Sequence, residues 1–421
     1  MKIAQLAPIW ESVPPDKYGG TELVVYNLTE ELVARGHEVT LFASGDSRTS
    51  AELVPTVAKA LYRAGVPWTN LTYPLLHTIE LLDRAQEFDV IHVHLNTSQD
   101  YFTLAMMEYL ELPVVTTIHM ELPVVDERAD ERQILLRFRR NPYITISNAQ
   151  RTIPDLNYIA TIHNGIAVEN FRFREHPDDY LVWLGRFCLE KGPREAIEAA
   201  RKANRRLIMA GKLDWANEPS LTYFEEYIRP EIDGKQIIYL GEVDHQTKVE
   251  LLGGAIALLN PLRWNEPFGL VTVESLATGT PVVALDKGPI REQVIHGQTG
   301  FVVNTVEQMA QAIGWIDNID RRLCRRHAEE HFSARGMALR YERAYRAQLM
   351  SRRQLKALAG IDLNPISPTE PPIVRNGASL RRRIGHRSTG TATMPESSAS
   401  PRGRYSSCPD LSDQTGDVGI G

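Results

Sequence analysis

The stretch NEPFGLVTVESLATGTPVVA (residues 265–284) predicts a loop, a helix and a strand in quick succession. Its Phe-Gly pair opens a segment with helical spacing, and Gly-Thr-Pro then leads into a run of valines that indicates a buried strand. Glu266 is expected in the loop and Glu274 within the second turn of the helix. A buried structural helix needs neither carboxylate, so the rest of the chain has to explain both.

The same alternation of strands and helices extends over most of the chain. Predicted strands of the first half are KIAQLAP, EVTLFAS, DVIHVHL, PVVTTIHM, PYITIS and IATIHNG, and those of the second half are YLVWLGR, RLIMAG, IIYLGEV, AIALLNP, PVVALD and GFVV. Continuous apolar strands separated by helices predict parallel sheets that are covered on both faces. Ligands of such sheets bind at the carboxyl ends of the strands, so we expect the chemistry there.

Changes in composition divide the chain into segments. The charged stretch at 167–179 has no periodicity and predicts a linker between two doubly wound, Rossmann-like domains, 1–166 and 180–334, that face each other across a cleft. An Arg-rich amphipathic stretch predicts helices at 335–359. From 360 to 421, Ser, Thr, Pro and Gly dominate, which predicts a disordered tail.

The overall composition argues against several classes of protein. A formal net charge of −6 is unlike a general nucleic-acid binder, which needs excess Lys and Arg. Cys188, Cys324 and Cys408 lie far apart without a CxxC pair, which fits a reducing cytosol. No apolar stretch reaches the roughly 18 residues of a spanning helix. We therefore expect a cytoplasmic protein.

The segment GRFCLEKG (185–192) follows the first predicted strand of the second domain. It places Arg186 and Lys191 at the carboxyl end of a strand and beside a helix N-terminus. Side-chain charge and unpaired backbone N–H groups converge at such a place, which suits a diphosphate. The alternative is a surface loop with two solvated cations.

Residues 266–274 supply the other half of this predicted site. Because Gly269 has no side chain, a ligand could approach the backbone, and the amides of Gly269 and Leu270 would point at an anion. The carboxylates of Glu266 and Glu274 can accept pairs of hydrogen bonds, which suits the vicinal hydroxyls of a ribose or a hexose. Alternatively, Glu266 favours the helix dipole and Glu274 pairs with a basic neighbour.

Two features of the first half also lie at predicted strand ends. In YGGTE (18–22), Gly19 and Gly20 allow close approach of a ligand and Thr21 can cap the following helix, although an ordinary turn has the same pattern. His119 ends the strand PVVTTIHM and faces the predicted cleft, where a structural hydrogen bond is the alternative to catalysis. The two histidines of VIHVHL lack metal-ligand geometry.

Together these motifs are similar to those of the retaining glycosyltransferases of the GT-B fold, family 4 (glycosyl transferases group 1). The resemblance rests on Glu266 and Glu274 followed by GTPVVA, on GR and EKG in 185–192, on the Asn-Gly pair at 164–165 and on REQVIHGQTGFVV, in that order. It covers roughly residues 1–350. It implies an α/β protein of GT-B architecture whose C-terminal helix returns to the first domain.

The resemblance implies a role for each residue of the donor site. Arg186 and Lys191 would hold the donor's diphosphate, Glu274 the ribose, and Glu266 the hydroxyls of the sugar. The backbone of three successive residues would cradle sugar and phosphate: Phe268, Gly269 and Leu270. On the other side of the cleft, His119 would lie near the sugar, and the Gly19–Gly20 loop would close over the phosphates.

The implied reaction moves a hexosyl group, best a glucosyl group from a UDP-sugar, to a hydroxyl of a saccharide, a lipid or a small molecule. The sequence contains no Asp-x-Asp motif, so we expect neither a metal nor any other cofactor. A nucleotide-sugar epimerase of the same fold and a non-catalytic nucleotide-sugar-binding protein are the alternatives. The basic amphipathic segment RQILLRFRR (132–140) could touch an anionic membrane peripherally, but a solvated helix has the same pattern.

Overall fold

The structure, a computed structural model, describes residues 1–16, 19–123, 128–213 and 218–359. The tail predicted at 360–421 lies outside the described residues. Within the described part, the chain forms two parallel sheets with helices on their faces, as the alternation of apolar and helical patterns predicts. None of the described helices combines the length and the apolar character that crossing a membrane requires.

The first sheet has the strand order β3-β2-β1-β4-β5-β6-β7, and all its neighbouring strands run parallel. Its strands are β1 (Lys2–Leu6), β2 (Glu38–Ala43), β3 (Glu52–Pro55), β4 (Val90–Leu95), β5 (Val114–Ile118), β6 (Tyr143–Thr145) and β7 (Tyr158–Thr161). Its helices are α1 (Gly20–Ala34), α2 (Thr72–Asp83), α3 (Phe102–Met107) and α4 (Ala129–Arg137). The sequence patterns missed β3, because this edge strand is only four residues long, half exposed and ends in proline.

The second sheet has the order β10-β9-β8-β11-β12-β13 and is likewise parallel. Its strands are β8 (Leu181–Leu184), β9 (Leu207–Ala210), β10 (Ile237–Tyr239), β11 (Ala257–Asn260), β12 (Val282–Leu285) and β13 (Gly300–Val303). The helices that follow in the chain are α5 (Pro193–Lys202), α6 (Glu218–Tyr223), α7 (His245–Gly254), α8 (Leu270–Ala277), α9 (Ile290–Gln293), α10 (Val306–Ile313), α11 (Arg321–Phe332) and α12 (Ala334–Ala359).

The cores explain why the strands read as continuous apolar runs. Every residue of β4 is buried, and β8 is buried over three of its four positions. The first sheet has a core on each face, whereas one large core surrounds the second sheet. Since helices cover both faces, alternation between apolar and polar residues is not required. The prediction of two doubly wound sheets is confirmed.

The chain crosses back to the first sheet between α11 and α12. Ile166 N donates to Phe332 O, and Ala334 N donates to Ile166 O, both at 2.8 Å. A Cβ atom on Gly165 would lie 2.7 Å from Ser333 O, so the crossing requires glycine here. Four residues of α12 then join the core formed by α1 and the first sheet: Met337, Ala338, Tyr341 and Tyr345. The predicted return of the C-terminal helix is confirmed. Both sheets belong to one compact unit, so the exact domain boundaries stay predictions.

Candidate functional site

Two loops at the carboxyl ends of neighbouring strands form the centre of the site. Strand β8 leads into the loop that carries Arg186 and Lys191, and β11 leads into the loop that carries Glu266. Because β8 and β11 pair directly in the sheet, the two loops lie side by side. Lys191 Nζ donates to Glu266 Oε1 at 2.5 Å, and the side chains are 13% and 16% exposed. The structure therefore brings together a cation and a carboxylate that the sequence separates by 75 residues.

Aromatic side chains hold Lys191 in place. The indole Nε1 of Trp183 donates to Lys191 O at 3.2 Å, which fixes the backbone of the loop. The ammonium group lies 5.6 Å from the centroid of the Trp264 ring, within the range of a cation–π interaction. Arg186 is half-buried in the same loop. The charge of Lys191 is thus preorganised at the carboxyl ends of the strands of the second sheet. An anionic ligand could replace Glu266 there as the partner of the lysine.

Helix α8 begins beside this ion pair. Its N-cap is Gly269, in the left-handed conformation with φ 85° and ψ 78°, and no side chain caps the first turn. The uncapped amides of Gly269 and Leu270 are therefore available to an anion. A Cβ atom on Gly269 would lie 3.6 Å from the carboxyl carbon of Glu266, so this glycine keeps the approach to the carboxylate open.

Gly269→Ala should affect both folding and ligand binding. A non-glycine residue at this φ costs about 1–2 kcal/mol, and the added methyl group would stand between an incoming ligand and Glu266. Since the resemblance implies UDP as the nucleotide, we expect lower stability in urea and about tenfold weaker binding of UDP by titration calorimetry, which is about 1.4 kcal/mol. Gly234→Ala is the matched control, because Gly234 has φ 70° and no neighbour within 4 Å. It should lose stability but bind UDP normally. Unchanged UDP affinity in Gly269→Ala would place the ligand elsewhere.

Glu274 is the more buried of the two carboxylates. Its side chain is 5% exposed, and Lys248 Nζ donates to Glu274 Oε1 at 2.7 Å. Lys248 lies on α7, and its ammonium group is also 5.8 Å from the ring centroid of Phe171. The structure thus has the basic neighbour that the sequence offered as the alternative role of Glu274. The sequence did not indicate which residue this is, because α7 meets α8 only in the folded protein.

The first half of the chain contacts the same loop. A Cβ atom on Gly20 would lie 3.8 Å from Leu270 Cδ1, which puts the Gly19–Gly20 turn next to the start of α8. Ser147 Oγ donates to Pro267 O at 2.7 Å, one residue before the buried Phe268. The glycine turn and the loop that carries Glu266 are therefore neighbours.

The predicted cap of α1 is wrong. Helix α1 begins at Gly20 with Gly19 as its N-cap, and no side chain caps it. The hydroxyl of Thr21 lies inside the first turn and donates instead to Asn96 Oδ1 at 2.6 Å. The sequence could not show this, because the helix begins two residues earlier than a Thr21 N-cap would place it and Asn96 is 75 residues away.

Sequence reasoning also missed two buried carboxyl groups in the first half. Glu22 in α1 and Asp100 beyond β4 are 4% and 9% exposed. Burial raises the pKa of Glu22 to about 7 and the pKa of Asp100 to about 6, although backbone N–H groups of Asn96 and Thr97 donate to Asp100. Glu22 therefore exchanges its proton near neutral pH. Its position in YGGTE indicated only a turn.

His119 lies at the end of β5 and is almost fully buried. Its Nε2 is 2.9 Å from Nδ1 of His94, which lies on β4. Burial lowers the pKa of His119 to about 3, so the imidazole is neutral at physiological pH. A neutral ring can donate and accept hydrogen bonds but cannot supply a positive charge. Across the described ranges, no group of three or more His, Cys, Asp or Glu side chains could hold a metal ion.

Two family models match the chain, one for each half of the fold. The model described as Glycosyltransferase Family 4 matches residues 18–170, and the model described as Glycosyl transferases group 1 matches residues 169–330. Together they cover more than half of the 421 residues. The two models meet at residues 169–170, shortly after Ile166 and the last strand of the first sheet.

Similar proteins include two mycobacterial enzymes with different activities and one solved structure with a bound nucleotide sugar. Glycogen synthase of Mycobacterium tuberculosis is 27% identical over 350 residues, which are 69% of this chain and 80% of that protein. Phosphatidyl-myo-inositol mannosyltransferase of Mycobacterium leprae is 25% identical over 336 residues, 74% and 86% of the two chains. The solved structure of Anabaena HepE in complex with UDP-glucose has a TM-score of 0.65 at 19% identity and covers 82% of this chain and 100% of that one. Because a glycosyltransferase model matches each half of the fold, the chain belongs to the GT-B glycosyltransferases.

Proposed function

We propose that this glycosyltransferase transfers a hexosyl group from a nucleotide sugar with retention of configuration and without a metal ion. The observation that carries the proposal is the Lys191–Glu266 pair at the uncapped start of α8. It combines a cation for the diphosphate, a carboxylate for the sugar hydroxyls and backbone amides for the phosphate oxygens. Glu274 would bind the ribose, and Arg186 would share the diphosphate with Lys191.

Binding of the donor would replace the ion pair. Glu266 neutralises Lys191 in the structure. When a diphosphate binds the lysine, the carboxylate becomes free to accept hydrogen bonds from the sugar hydroxyls. Neither charge is then left buried without a partner, which would cost several kcal/mol. The pair therefore positions each group for its own part of the donor.

The proposed chemistry breaks the bond between the anomeric carbon and the phosphate oxygen. The electron pair leaves with the nucleoside diphosphate, and Lys191, Arg186 and the α8 amides stabilise the added negative charge. The sugar passes through an oxocarbenium-like state, and the acceptor hydroxyl attacks from the face that the phosphate leaves. The departing phosphate takes the hydroxyl proton, so no side chain has to act as a general base.

The donor that we propose is UDP-glucose. HepE, which shares the fold, binds UDP-glucose, and the M. tuberculosis relative is a glycogen synthase. The acceptor is a hydroxyl group of a saccharide, a lipid or a small molecule. Peripheral membrane contact through the basic segment at 132–140, which includes most of α4, stays part of the proposal, as does a cytoplasmic location.

A ligand panel followed by a turnover assay tests this function. UDP, GDP and ADP and their hexose conjugates are added in EDTA or in magnesium, and thermal unfolding is recorded. A ligand at a hundred times its Kd stabilises a protein by about 2.7 kcal/mol, so we expect a clear increase in Tm with UDP and UDP-glucose in EDTA. Proton NMR of the product should then show the anomeric configuration of the donor.

Each part of the proposal can fail separately. Stabilisation only in magnesium would contradict metal independence, and an inverted anomer would contradict retention. Conversion of the donor sugar without transfer to an acceptor or to water would favour the epimerase alternative. Binding without any turnover would favour the binding-protein alternative. A preference for GDP over UDP would be compatible with the proposed enzyme class but would contradict the proposed donor.

A further inference from the structure

A chain of buried hydrogen bonds links His119 to the last helix of the fold. His119 Nε2 is 2.9 Å from His94 Nδ1, and His94 Nε2 is 2.7 Å from Gln5 Oε1. Gln5 Nε2 in turn donates to the hydroxyl of Tyr345 in α12 at 3.3 Å. Gln5 and Tyr345 are fully buried and His94 is 3% exposed, so bulk water cannot replace these partners.

The direction of each hydrogen bond follows from the amide of Gln5. Its Oε1 can only accept, so His94 Nε2 must carry a hydrogen. A neutral imidazole has one N–H, which leaves His94 Nδ1 as an acceptor. His119 must then donate through Nε2, and its Nδ1 is left as the nitrogen that can accept.

A second branch of the network begins at the Gln5 amide. The hydroxyl of Tyr345 accepts from Gln5 Nε2 and lies 2.7 Å from His92 Nδ1. Since the hydroxyl keeps one hydrogen of its own, the arrangement that uses it has Tyr345 donating to His92 Nδ1. His92 Nε2 then donates to Thr117 Oγ1 at 2.7 Å. Reversing the amide of Gln5 would require the other tautomer of both His94 and His92 and would make the hydroxyl of Tyr345 a donor to Gln5. The hydrogen bond from Gln5 Nε2 to Tyr345 is therefore the contact that goes with the Nε2–H tautomer of His94.

Burial keeps the three rings neutral, so the polarity of the chain does not change with pH in the physiological range. Burial, followed by the neighbouring histidines, lowers the pKa of His92 and of His94 well below the ordinary value. Burial alone lowers the pKa of His119 to about 3. The network can therefore select a tautomer but cannot add a charge.

We propose that Gln5 and Tyr345 are positioning residues that act through His94 to hold His119 as its Nε2–H tautomer, with Nδ1 as the acceptor toward the donor sugar. This role rests on the proposed function, because it takes His119 to lie at the sugar. In this proposal α12 has a role in addition to packing on the first sheet. The helix supplies the hydroxyl that orients a residue of the first strand, and through it the ring at the cleft.

Two variants disrupt the hydrogen-bond network at different residues. Tyr345→Phe deletes the hydroxyl that orients Gln5, and Gln5→Met deletes both hydrogen bonds of the amide at similar volume. In protein labelled with ¹⁵N-histidine, long-range ¹H–¹⁵N spectra distinguish the two tautomers, and His119→Gln identifies the His119 signals. We expect wild-type His119 as Nε2–H from pH 6 to 8, and a mixture of tautomers in both variants. Partners that fix the tautomer of a metal-binding histidine are worth about 10–100-fold, and for this metal-free ring we expect kcat/KM for the donor to fall about tenfold.

The matched control is Tyr341→Phe, one turn earlier in α12. It also deletes a fully buried phenol hydroxyl, 3.1 Å from Thr117 Oγ1 at the far end of the His92 branch. Thr117 Oγ1 can still accept from His92 without it, and Thr117 and His92 separate Tyr341 from Tyr345 and Gln5. It should leave the His119 tautomer and kcat/KM within twofold of wild type. Wild-type tautomer in both Tyr345→Phe and Gln5→Met would overturn the proposal, as would a changed tautomer with unchanged kcat/KM. If the wild type transfers no sugar, the proposed function fails while the spectra still test the tautomer.

Discussion

Lys191→Ala is expected to lower kcat/KM for the nucleotide sugar by about 10²–10³, the loss typical of removing one preorganised group from a developing negative charge. Lys191 is 13% exposed and is held by Trp183 and Trp264, so its charge has a fixed place in the loop. Most of the loss should be in kcat, because the charge on the diphosphate grows as the bond to the sugar breaks. Initial rates of nucleotide release measure both constants.

Lys202→Ala is the matched control for this variant. Lys202 ends the neighbouring helix α5, is 42% exposed and pairs with Glu198 and Glu307 on the surface. Removing it should change kcat/KM less than twofold. Equal rates in Lys191→Ala and in wild type would contradict the proposed donor site. A loss of the same size in Lys202→Ala would indicate a general effect of charge rather than a specific contact.

A double-mutant cycle with Glu266→Gln separates catalysis from the ion pair. Lys191→Ala leaves the carboxylate of Glu266 without its partner, and part of any loss would come from that. If the two residues act only on each other, the double variant should be no worse than Lys191→Ala. If they bind different parts of the donor, as we propose, the double variant should be clearly worse than either single variant.

Arg321→Ala is expected to lower the free energy of unfolding by about 3–5 kcal/mol, because several buried acceptors lose their hydrogen-bond donor. The guanidinium of Arg321 is buried at the base of the second sheet, and burial lowers its pKa to about 10. It donates to the carbonyl oxygens of Arg174, Gly253 and Ala255 and to Thr280 Oγ1, at 2.7–2.9 Å. Its loss would leave buried acceptors unpaired at about 1–3 kcal/mol each, with some relief from entering water.

Urea unfolding measures the free energy of unfolding of Arg321→Ala. Arg322→Ala, at the next residue in α11, is the control. Arg322 is 66% exposed and pairs with Glu175, which is 48% exposed. A surface ion pair of this kind contributes about 0–1 kcal/mol, so the control should unfold nearly as wild type does. A loss below about 1 kcal/mol in Arg321→Ala would mean that water satisfies the carbonyl groups after the side chain is removed.

The local chemistry of the sequence was enough to predict most of the fold. Buried strands such as VIHVHL are continuous and apolar because helices cover both faces of the sheet, and twelve of the thirteen described strands were predicted on that basis. The short edge strand β3 was missed because four half-exposed residues ending in proline have no distinctive pattern. Gly269 was predicted to allow close approach, and its positive φ at the start of α8 is consistent with that interpretation.

Contacts between distant segments were not predictable in the same way. That Lys191 meets Glu266 depends on the pairing of β8 with β11, and that Lys248 meets Glu274 depends on the packing of α7 on α8. The partners in the histidine network are up to 340 residues apart, and nothing in the local sequence distinguishes Gln5 from any other polar residue in a strand. The raised pKa of Glu22 arises from burial, which a turn motif does not reveal.

The sequence by itself determined the elements of this protein, their alternation and the residue types available for a nucleotide sugar. Periodicity, glycine positions and strand ends are properties of short segments, so they can be read before folding is considered. Only the tertiary structure decided which charges pair, which carboxyls lose water and which tautomer His119 adopts. Those outcomes depend on distance and burial, and both are set by strand order and by the return of α12 to the first sheet.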